Sequence, residues 1–323
     1  MTPRILSPRQ PEALARTREI SLSRELTRVL VQIQRGVPLG EVERAILRRD
    51  IEAAVDLLGF DKIRDAVSGL RPSLIPIRDA SFLAGLHGLP PSILSQPQVV
   101  ISFDTFAALS PDRAAALDRL RLDQIQGITD ETETAIRQAV RRGLERGINP
   151  RVLARELKSS IGLNTRQQVA LDRFRERLVA DGRPLAQIER MTARRARRML
   201  TNRAENIART SVLGTLNEAK RLQWDRLVAE GKLDPNEWER VWKTADDERV
   251  DCAICAPFDE RTAPIGGLFT PDPEKSKPGT PASHPGPIAH PICRCVEILG
   301  LSRLRAFRLA RGGSERARVL AER

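Results

Sequence analysis

The stretch EWERVWKTADDERVDCAIC, residues 237–255, separates two kinds of sequence. Within it Trp238, Arg240, Trp242 and Thr244 alternate with other residues, and a period of two is typical of a β-strand. The residues before it repeat apolar positions every three or four, as helices do, and those after it carry cysteines and many prolines. The pattern predicts a mainly α protein, with helical N-terminal and central regions followed by a small α+β C-terminal module, a zinc-knuckle-like strand and loop arrangement.

The helical part divides at proline-rich breaks. Residues 1–125 are predicted to form an N-terminal helical region, with helices over 21–36 and 40–59 and a short strand over 99–103. Residues 126–235 are predicted to form a central helical domain. Its helices are expected over 129–147, 149–162, 164–182 and 184–231, with glycines as stop signals. The cysteine-bearing module spans residues 236–300, and residues 301–323 are predicted to form a basic amphipathic helix.

The four cysteines of the chain are confined to two short segments, CAIC and HPICRC. Cys252 and Cys255 form one pair, and His290 and Cys293 form a second pair at the same spacing. Four nitrogen or sulfur ligands make the tetrahedral set that structural zinc prefers, and they leave no open position for catalysis. Cys295 is an alternative ligand, His284 is a weaker one, and buried thiols or a redox pair are the competing interpretations.

The proline-rich residues 256–289 between the two cysteine segments are expected to bury little by themselves. Metal held at both ends of the loop would offset the entropy lost in closing it. The acidic run Asp246, Asp247 and Glu248 fits a solvated turn better than a magnesium or acid/base site. Trp238 and Trp242 are expected to pack over the metal module rather than stack on bases.

The net charge is +12, which favours an anionic partner such as nucleic acid or an acidic protein surface. Residues 187–210 and residues 301–323 each carry seven arginines against two glutamates. A solvated arginine face is the alternative for both. The candidate residues for binding duplex DNA or an acidic partner are Arg194, Arg195, Arg197, Arg198, Arg303, Arg305 and Arg308. No membrane span and no secretory leader is expected, and thiols in a reducing cytoplasm are not expected to be primarily disulfides.

Taken together, the stretches NIARTSVLGTLNEAKRLQW, WKTADDERVDCAICAPFDERTAPIGGLFT and HPICRC resemble the phage Mu F-like minor head proteins, or phage head morphogenesis proteins. The upstream residues 128–178 also resemble the helical lead-in of these proteins, so the resemblance covers roughly residues 100–297. The matching residues are Ile207, Ala208, Arg209, Thr210, Trp242, Thr244, Asp247, Arg249, Cys252, Cys255, His290, Pro291, Cys293, Arg294 and Cys295. Two positions depart from the family pattern: Ser211 stands where Glu is usual, and Glu260 stands where Gly usually follows Asp259.

The resemblance implies a minor capsid protein of a tailed bacteriophage or prophage that acts in head assembly. Its partners would be the portal protein and capsid or scaffold proteins, and its place would be the capsid interior of the virion, after assembly in the host cytoplasm. Such a protein is not an enzyme. The alternative from a different class is a zinc-stabilised nucleic-acid-processing enzyme or toxin. Against it, His87 is the only histidine outside the metal module and has no evident catalytic partner.

Overall fold

The structure is a computed structural model that describes residues 10–69, 111, 130–244, 254–287 and 293–302. The chain forms two compact units. One, here called the helical unit, takes in the described residues of Glu19–Ile75 and Arg119–Ser211. The other, the sheet unit, takes in those of Val212–Arg323 with Met1–Arg18 and Pro76–Asp118. The predicted strand over 99–103 and the predicted tail helix lie outside the described residues.

Up to residue 229, the regular elements of the described chain are helices. They are α1 (Gln10–Gly36), α2 (Leu39–Leu47), α3 (Ile51–Asp56), α4 (Phe60–Ser68), α5 (residues 130–145), α6 (Pro150–Ser160), α7 (Thr165–Ala180) and α8 (Leu185–Ala229). The second part of α8, from Val212 onward, belongs to the sheet unit. In this part of the chain no helix has the long apolar run that crossing a bilayer requires.

Local signals set the ends of the central helices. Asn149 caps α6 by accepting a hydrogen bond from Arg151 N at 3.0 Å, and Pro150 opens the helix. Asn164 and Gln167 form a reciprocal capping box at the start of α7. Gly162, between these helices, has φ of +89° and lies so close to Leu200 that a β-carbon would come within 2.6 Å of it. Only glycine fits this turn, and the predicted helix stop is confirmed.

The predicted single helix over 40–59 is wrong, because the segment forms two helices, α2 and α3. Arg49 adopts a left-handed φ of 59°, which ends the first helix. Asp50 then caps the second by accepting a hydrogen bond from Ala53 N at 3.0 Å. Aspartate competes for backbone donors in this way, so it favours a helix start over a helix interior. The helix predicted over 21–36 also begins earlier, at Gln10.

The C-terminal sheet has three antiparallel strands in the order β2–β1–β3. They are β1 (Trp238–Lys243), β2 (Thr262–Pro264) and β3 (Val296–Leu301). Arg240 at the centre of β1 lies opposite Ala263 on one side and Leu299 on the other. The predicted fold class is confirmed: a mainly helical chain with a small sheet near its C-terminal end. Strand β2 was not predicted, since it is three residues long and ends in proline, which sheets tolerate at an edge.

Two groups of buried side chains stabilise the sheet unit. Trp224 and Leu227 of α8 pack with Leu233 and Leu299. A second cluster contains Trp242, Phe258, Ala263 and Phe269 together with three cysteines. Phe258 and Phe269 come from the proline-rich segment, so the expectation that this segment buries little is wrong. Each fully buried aromatic or leucine side chain contributes on the order of 2 kcal/mol through removal from water.

Candidate metal centre

Three cysteines come together in the sheet unit. The sulfur atoms of Cys255, Cys293 and Cys295 all lie within 4.8 Å of one another, and the Cys255 and Cys293 sulfurs are 3.7 Å apart. The three residues are 0%, 1% and 3% exposed, and none forms a disulfide. This buried cluster of thiols can hold a metal ion such as zinc.

The sulfur spacing can be tested against zinc geometry. Zinc–sulfur bonds are about 2.3 Å long, and a tetrahedral arrangement then places sulfurs about 3.8 Å apart. The observed 3.7 Å between Cys255 and Cys293 agrees with this value, and the 4.8 Å limit for all three requires only small side-chain adjustment. The thiol cluster therefore fits three corners of a zinc tetrahedron.

Short structural elements place the thiols. Cys255 precedes the 3₁₀ helix Ala256–Phe258, and its carbonyl accepts a hydrogen bond from Phe258 N at 2.9 Å. Cys293 and Cys295 come directly before β3, at the edge of the sheet. The two segments are thus a tight turn and a strand entry, which meet because β3 pairs with β1.

An aromatic wall encloses the thiols. The Trp242 ring stacks on Phe258 at a centroid distance of 4.7 Å and meets the edge of Phe269 at 5.5 Å. Trp242 is fully buried beside the cysteines, as predicted. The same prediction is wrong for Trp238, which packs instead against the cluster of Trp224, Leu227, Leu233 and Leu299. The Trp242 indole N–H makes no regular hydrogen bond within the described chain, although it lies close to the Cys295 thiol.

The environment keeps the metal-free thiols protonated. Hydrogen bonds with Cys293 and Cys295, followed by burial, hold the pKa of Cys255 far above its usual range. For Cys295, the hydrogen bond with Cys255 lowers the pKa, but contact with Cys293 and burial outweigh it and raise the pKa to about 12. A cation would reverse this preference by binding thiolates, so loading of the site should release protons.

The remaining predicted ligands fall in different places. Cys252 and His290 lie outside the described residues, as does the acidic run at 246–248. His284 is described but does not join the thiol group found in that part of the chain. Its Nδ1 lies 2.5 Å from the Gly286 carbonyl oxygen, and its ring meets the edge of Trp242 at 5.7 Å. The structure brings together Cys255, Cys293 and the alternative ligand Cys295.

Polar side chains of helix α8 bind the strand that follows the cysteines. Asn217 donates to Cys295 O at 3.3 Å and accepts from Glu297 N at 3.2 Å, as a neighbouring strand would. The Lys220 ammonium donates to Glu297 O at 3.1 Å. The Arg221 Nε lies 3.1 Å from the Glu297 carboxylate. Sequence reasoning missed these residues, because polar side chains on a helix are usually solvated.

A buried arginine ties the proline-rich segment to the sheet. Arg240 is 2% exposed and donates to the carboxylate of Glu297 at 3.0 Å. It also donates to the carbonyl of Pro285 at 2.8 Å and to those of Pro264 and Gly267. Burial lowers the Arg240 pKa, and burial raises the pKa of the fully enclosed Glu297 to about 7. The strand period placed Arg240 on the same face as the tryptophans, and this was the signal that could have found it.

The predicted basic surface on α8 is only partly free. Arg194, Arg197 and Arg198 are exposed. Arg195 is half-buried, and its guanidinium lies over the Phe174 ring at 4.5 Å. Arg303, Arg305 and Arg308 lie outside the described residues.

Comparison of the chain with protein-family models, curated proteins and solved structures gave no match.

Proposed function

We propose that this chain is a minor capsid protein of a tailed bacteriophage or prophage, acting in head assembly as the Mu F-like head morphogenesis proteins do. The observation that carries the proposal is that parts of all three resembling stretches, far apart in the sequence, meet in the sheet unit. The helical stretch supplies Asn217, which binds the Cys295 carbonyl. The stretch that begins at Trp242 supplies Trp242 and Cys255, and HPICRC supplies Cys293 and Cys295. That the resembling stretches supply neighbouring side chains in the fold favours a shared module over chance similarity.

One departure from the family pattern also supports the proposal. Glu260 stands where the pattern carries glycine, and its φ is 60°. This left-handed conformation is the one in which glycine is favoured. Asp259 beside it accepts a hydrogen bond from Thr244 N at 3.0 Å. The turn thus has the backbone that an Asp-Gly pair would adopt, although this chain places Glu there.

The metal is zinc in this proposal, and its role is structural. Cys255, Cys293 and Cys295 supply three thiolates, and the fourth ligand is Cys252 or His290. With four protein ligands the ion takes no part in catalysis, which is consistent with the proposed non-enzymatic role. The ion ties the turn at Cys255 to the entry of β3, and so closes the proline-rich segment between them.

Elemental analysis of protein purified without chelator tests the metal. About one zinc per chain is expected. Cys255→Ser, Cys293→Ser and Cys295→Ser should each lose it, and either Cys252→Ser or His290→Ala should do the same. The matched control is His284→Ala, which changes a histidine of the same module and should keep the zinc.

Two results would change the metal assignment. Wild-type protein without zinc would remove the metal from the proposal. Loss of zinc in both Cys252→Ser and His290→Ala, with Cys295→Ser unaffected, would return the ligand set to Cys252, Cys255, His290 and Cys293.

The portal protein and capsid or scaffold proteins are the partners in this proposal, with packaged DNA as a non-specific contact. Arg194, Arg197 and Arg198 are exposed and are suited to such a contact. The test is deletion of the gene in the phage or prophage that encodes it. Filled heads should be lost, and mass spectrometry should find the chain in wild-type heads at low copy number. Normal packaging without the chain would refute the assembly role.

A further inference from the structure

Helix α7 separates its charges onto two faces. All of its acidic residues, and one of its arginines, form ion pairs with α5, with the turn that follows it, and with α6. These pairs are Arg142–Asp172, Arg146–Glu176 and Arg175–Glu156. On a helix, positions 172, 175 and 176 fall on one side. That side of α7 is therefore neutralised inside the helical unit.

The opposite side of α7 carries arginines alone. Arg166, Arg173 and Arg177 follow one another at seven and four residues, so they project from one stripe of the helix. All three are exposed. Across the described residues, none of them has a carboxylate partner. With a rise of about 1.5 Å per residue, the stripe extends over roughly 16 Å.

A groove runs between this stripe and the first part of α8. Its volume is about 640 Å³. The lining residues are Thr165, Arg166, Val169, Ala170, Arg173, Arg177 and Arg195. No carboxylate is among them, and the small side chains of Val169 and Ala170 leave the floor open. Gln167 donates to the Met199 carbonyl at 3.4 Å, which ties the start of α7 to α8 beside the groove.

Arg195 completes the groove from the α8 side. Its guanidinium is held over the Phe174 ring at 4.5 Å, and its Nε is buried without a hydrogen-bond partner in the described chain. Stacking on an aromatic ring fixes a guanidinium and keeps its outer edge available. The fourth positive charge is thus pre-positioned, while the three on α7 are on flexible side chains.

We propose that this groove is a phosphate-binding site for the backbone of duplex DNA, with Arg166, Arg173, Arg177 and Arg195 as its contacts. Guanidinium groups bind phosphate through paired N–H donors. The inference deepens, and rests on, the DNA contact of the proposed function, but three of its four contacts, Arg166, Arg173 and Arg177, are new and lie on α7. A protein-docking face would centre on aromatic or large aliphatic anchors, and the exposed lining of this groove has none.

The test is salt-dependent binding of the full-length protein to a labelled duplex of arbitrary sequence, followed by fluorescence anisotropy. In Arg166→Ala/Arg173→Ala/Arg177→Ala, three phosphate contacts are lost. The slope of log affinity against log salt should fall by about 2.7, and affinity at ~0.1 M salt should fall by about 500-fold. The control Arg24→Ala/Arg28→Ala/Arg48→Ala removes the same charge from exposed arginines elsewhere and should change the slope by less than about one.

A third variant separates charge from folding. Arg166→Lys/Arg173→Lys/Arg177→Lys keeps the charge and should retain most of the salt slope. Far-UV circular dichroism should show that all three variants keep wild-type helix content, because the altered side chains are exposed.

Several results would overturn the proposal. One is equal loss of binding in the groove triple and the control triple. Another is the absence of duplex DNA binding by the wild-type protein at ~50 mM salt, where contacts with the DNA backbone are strongest. Groove-dependent capture of an acidic portal protein without DNA binding would make the groove a protein-docking face. Inorganic phosphate binding without duplex binding would make it a small-anion site. If Arg194→Ala/Arg197→Ala/Arg198→Ala alone weakens DNA binding, the DNA contact of the proposed function holds and the groove assignment fails.

Discussion

Replacement of Arg240 by methionine tests what holds the proline-rich segment to the sheet. Methionine replaces the apolar stem of the arginine side chain and removes the guanidinium, which lies over the Phe269 ring at 4.9 Å. The change removes the bond to Glu297 at 3.0 Å and the bonds to three carbonyls. Glu297 is then left fully buried with Arg221 as its remaining ion-pair partner on the side chain.

The cost follows from these contacts. Removing one partner of a buried ion pair lowers the free energy of unfolding by about 3–5 kcal/mol. Arg221 and a pKa near 7 for Glu297 reduce that figure, while the lost carbonyl bonds, at about 1 kcal/mol each, add to it. We expect a loss of about 4 kcal/mol in the free energy of unfolding of the sheet unit. With a urea dependence of about 2 kcal/mol per molar, the midpoint should fall by about 2 M.

Tryptophan fluorescence during urea unfolding measures this loss where it occurs. The three tryptophans, Trp224, Trp238 and Trp242, all belong to the sheet unit. The matched control is Arg261→Met, since Arg261 is a more exposed arginine of the same module that donates to one carbonyl, that of Thr270, at 3.1 Å. The control should lose less than about 1 kcal/mol.

A midpoint for Arg240→Met no lower than that of Arg261→Met would refute the reasoning. The double variant Arg240→Met/Glu297→Met adds a second check, because removing both charges avoids the uncompensated carboxylate. It should be more stable than Arg240→Met alone. If it is less stable, the ion pair is not the main source of the loss.

Three further predictions concern single side chains. Glu260→Gly should be more stable to urea than Glu260→Ala by about 1 kcal/mol, because only glycine relieves the left-handed backbone; equal stability would contradict this. Burial raises the pKa of Glu156 to about 7, against about 4.3 unfolded, so its protonation stabilises the fold fully below pH ~4.3 and that contribution is lost as pH rises through about 7. The wild-type unfolding free energy should therefore fall between pH ~4 and ~8, and in Glu156→Gln this fall should be smaller by about 3 kcal/mol. Urea midpoints measured across this pH range test it, and a variant with the same pH profile as the wild type would contradict it. Trp242→Phe keeps the ring stack but removes the N–H near Cys295, and should weaken zinc binding in a chelator competition by about ten-fold, while the control Trp238→Phe should not.

Helix positions could be predicted from sequence because their causes are local. Caps at Asn149 and Asn164 and the glycine at 162 act within a few residues, and the apolar period of α8 predicts its buried stripe. Ala204, Ala208 and Ala219 belong to this stripe and are buried. The break between α2 and α3 was missed, since an apolar period continues through Asp50 while the aspartate caps a new helix.

The candidate site was predictable only in part, because its partners are distant in sequence. Cysteine spacing indicated a metal module, but it could not decide whether Cys295 joins Cys255 and Cys293, since that depends on how β3 enters the sheet. The burial of Arg240 and Glu297 was not predicted, for a different reason. Charged side chains are almost always exposed, and their burial becomes favourable only when both are enclosed together.

The separation of the three thiols along the chain sets an order of events during synthesis. The helices are built from neighbouring residues, whereas Cys255 meets Cys293 only after 38 further residues, and Asn217 meets Cys295 after 78. Contacts of such long sequence separation form late, and chains emerge from the ribosome N-terminus first. Helical structure can therefore exist on the nascent chain before any pocket for an ion does. In a chain that binds zinc as proposed, metal shortage should then arrest maturation at this late stage and leave a helical intermediate whose exposed thiols and unfolded segments are open to proteases.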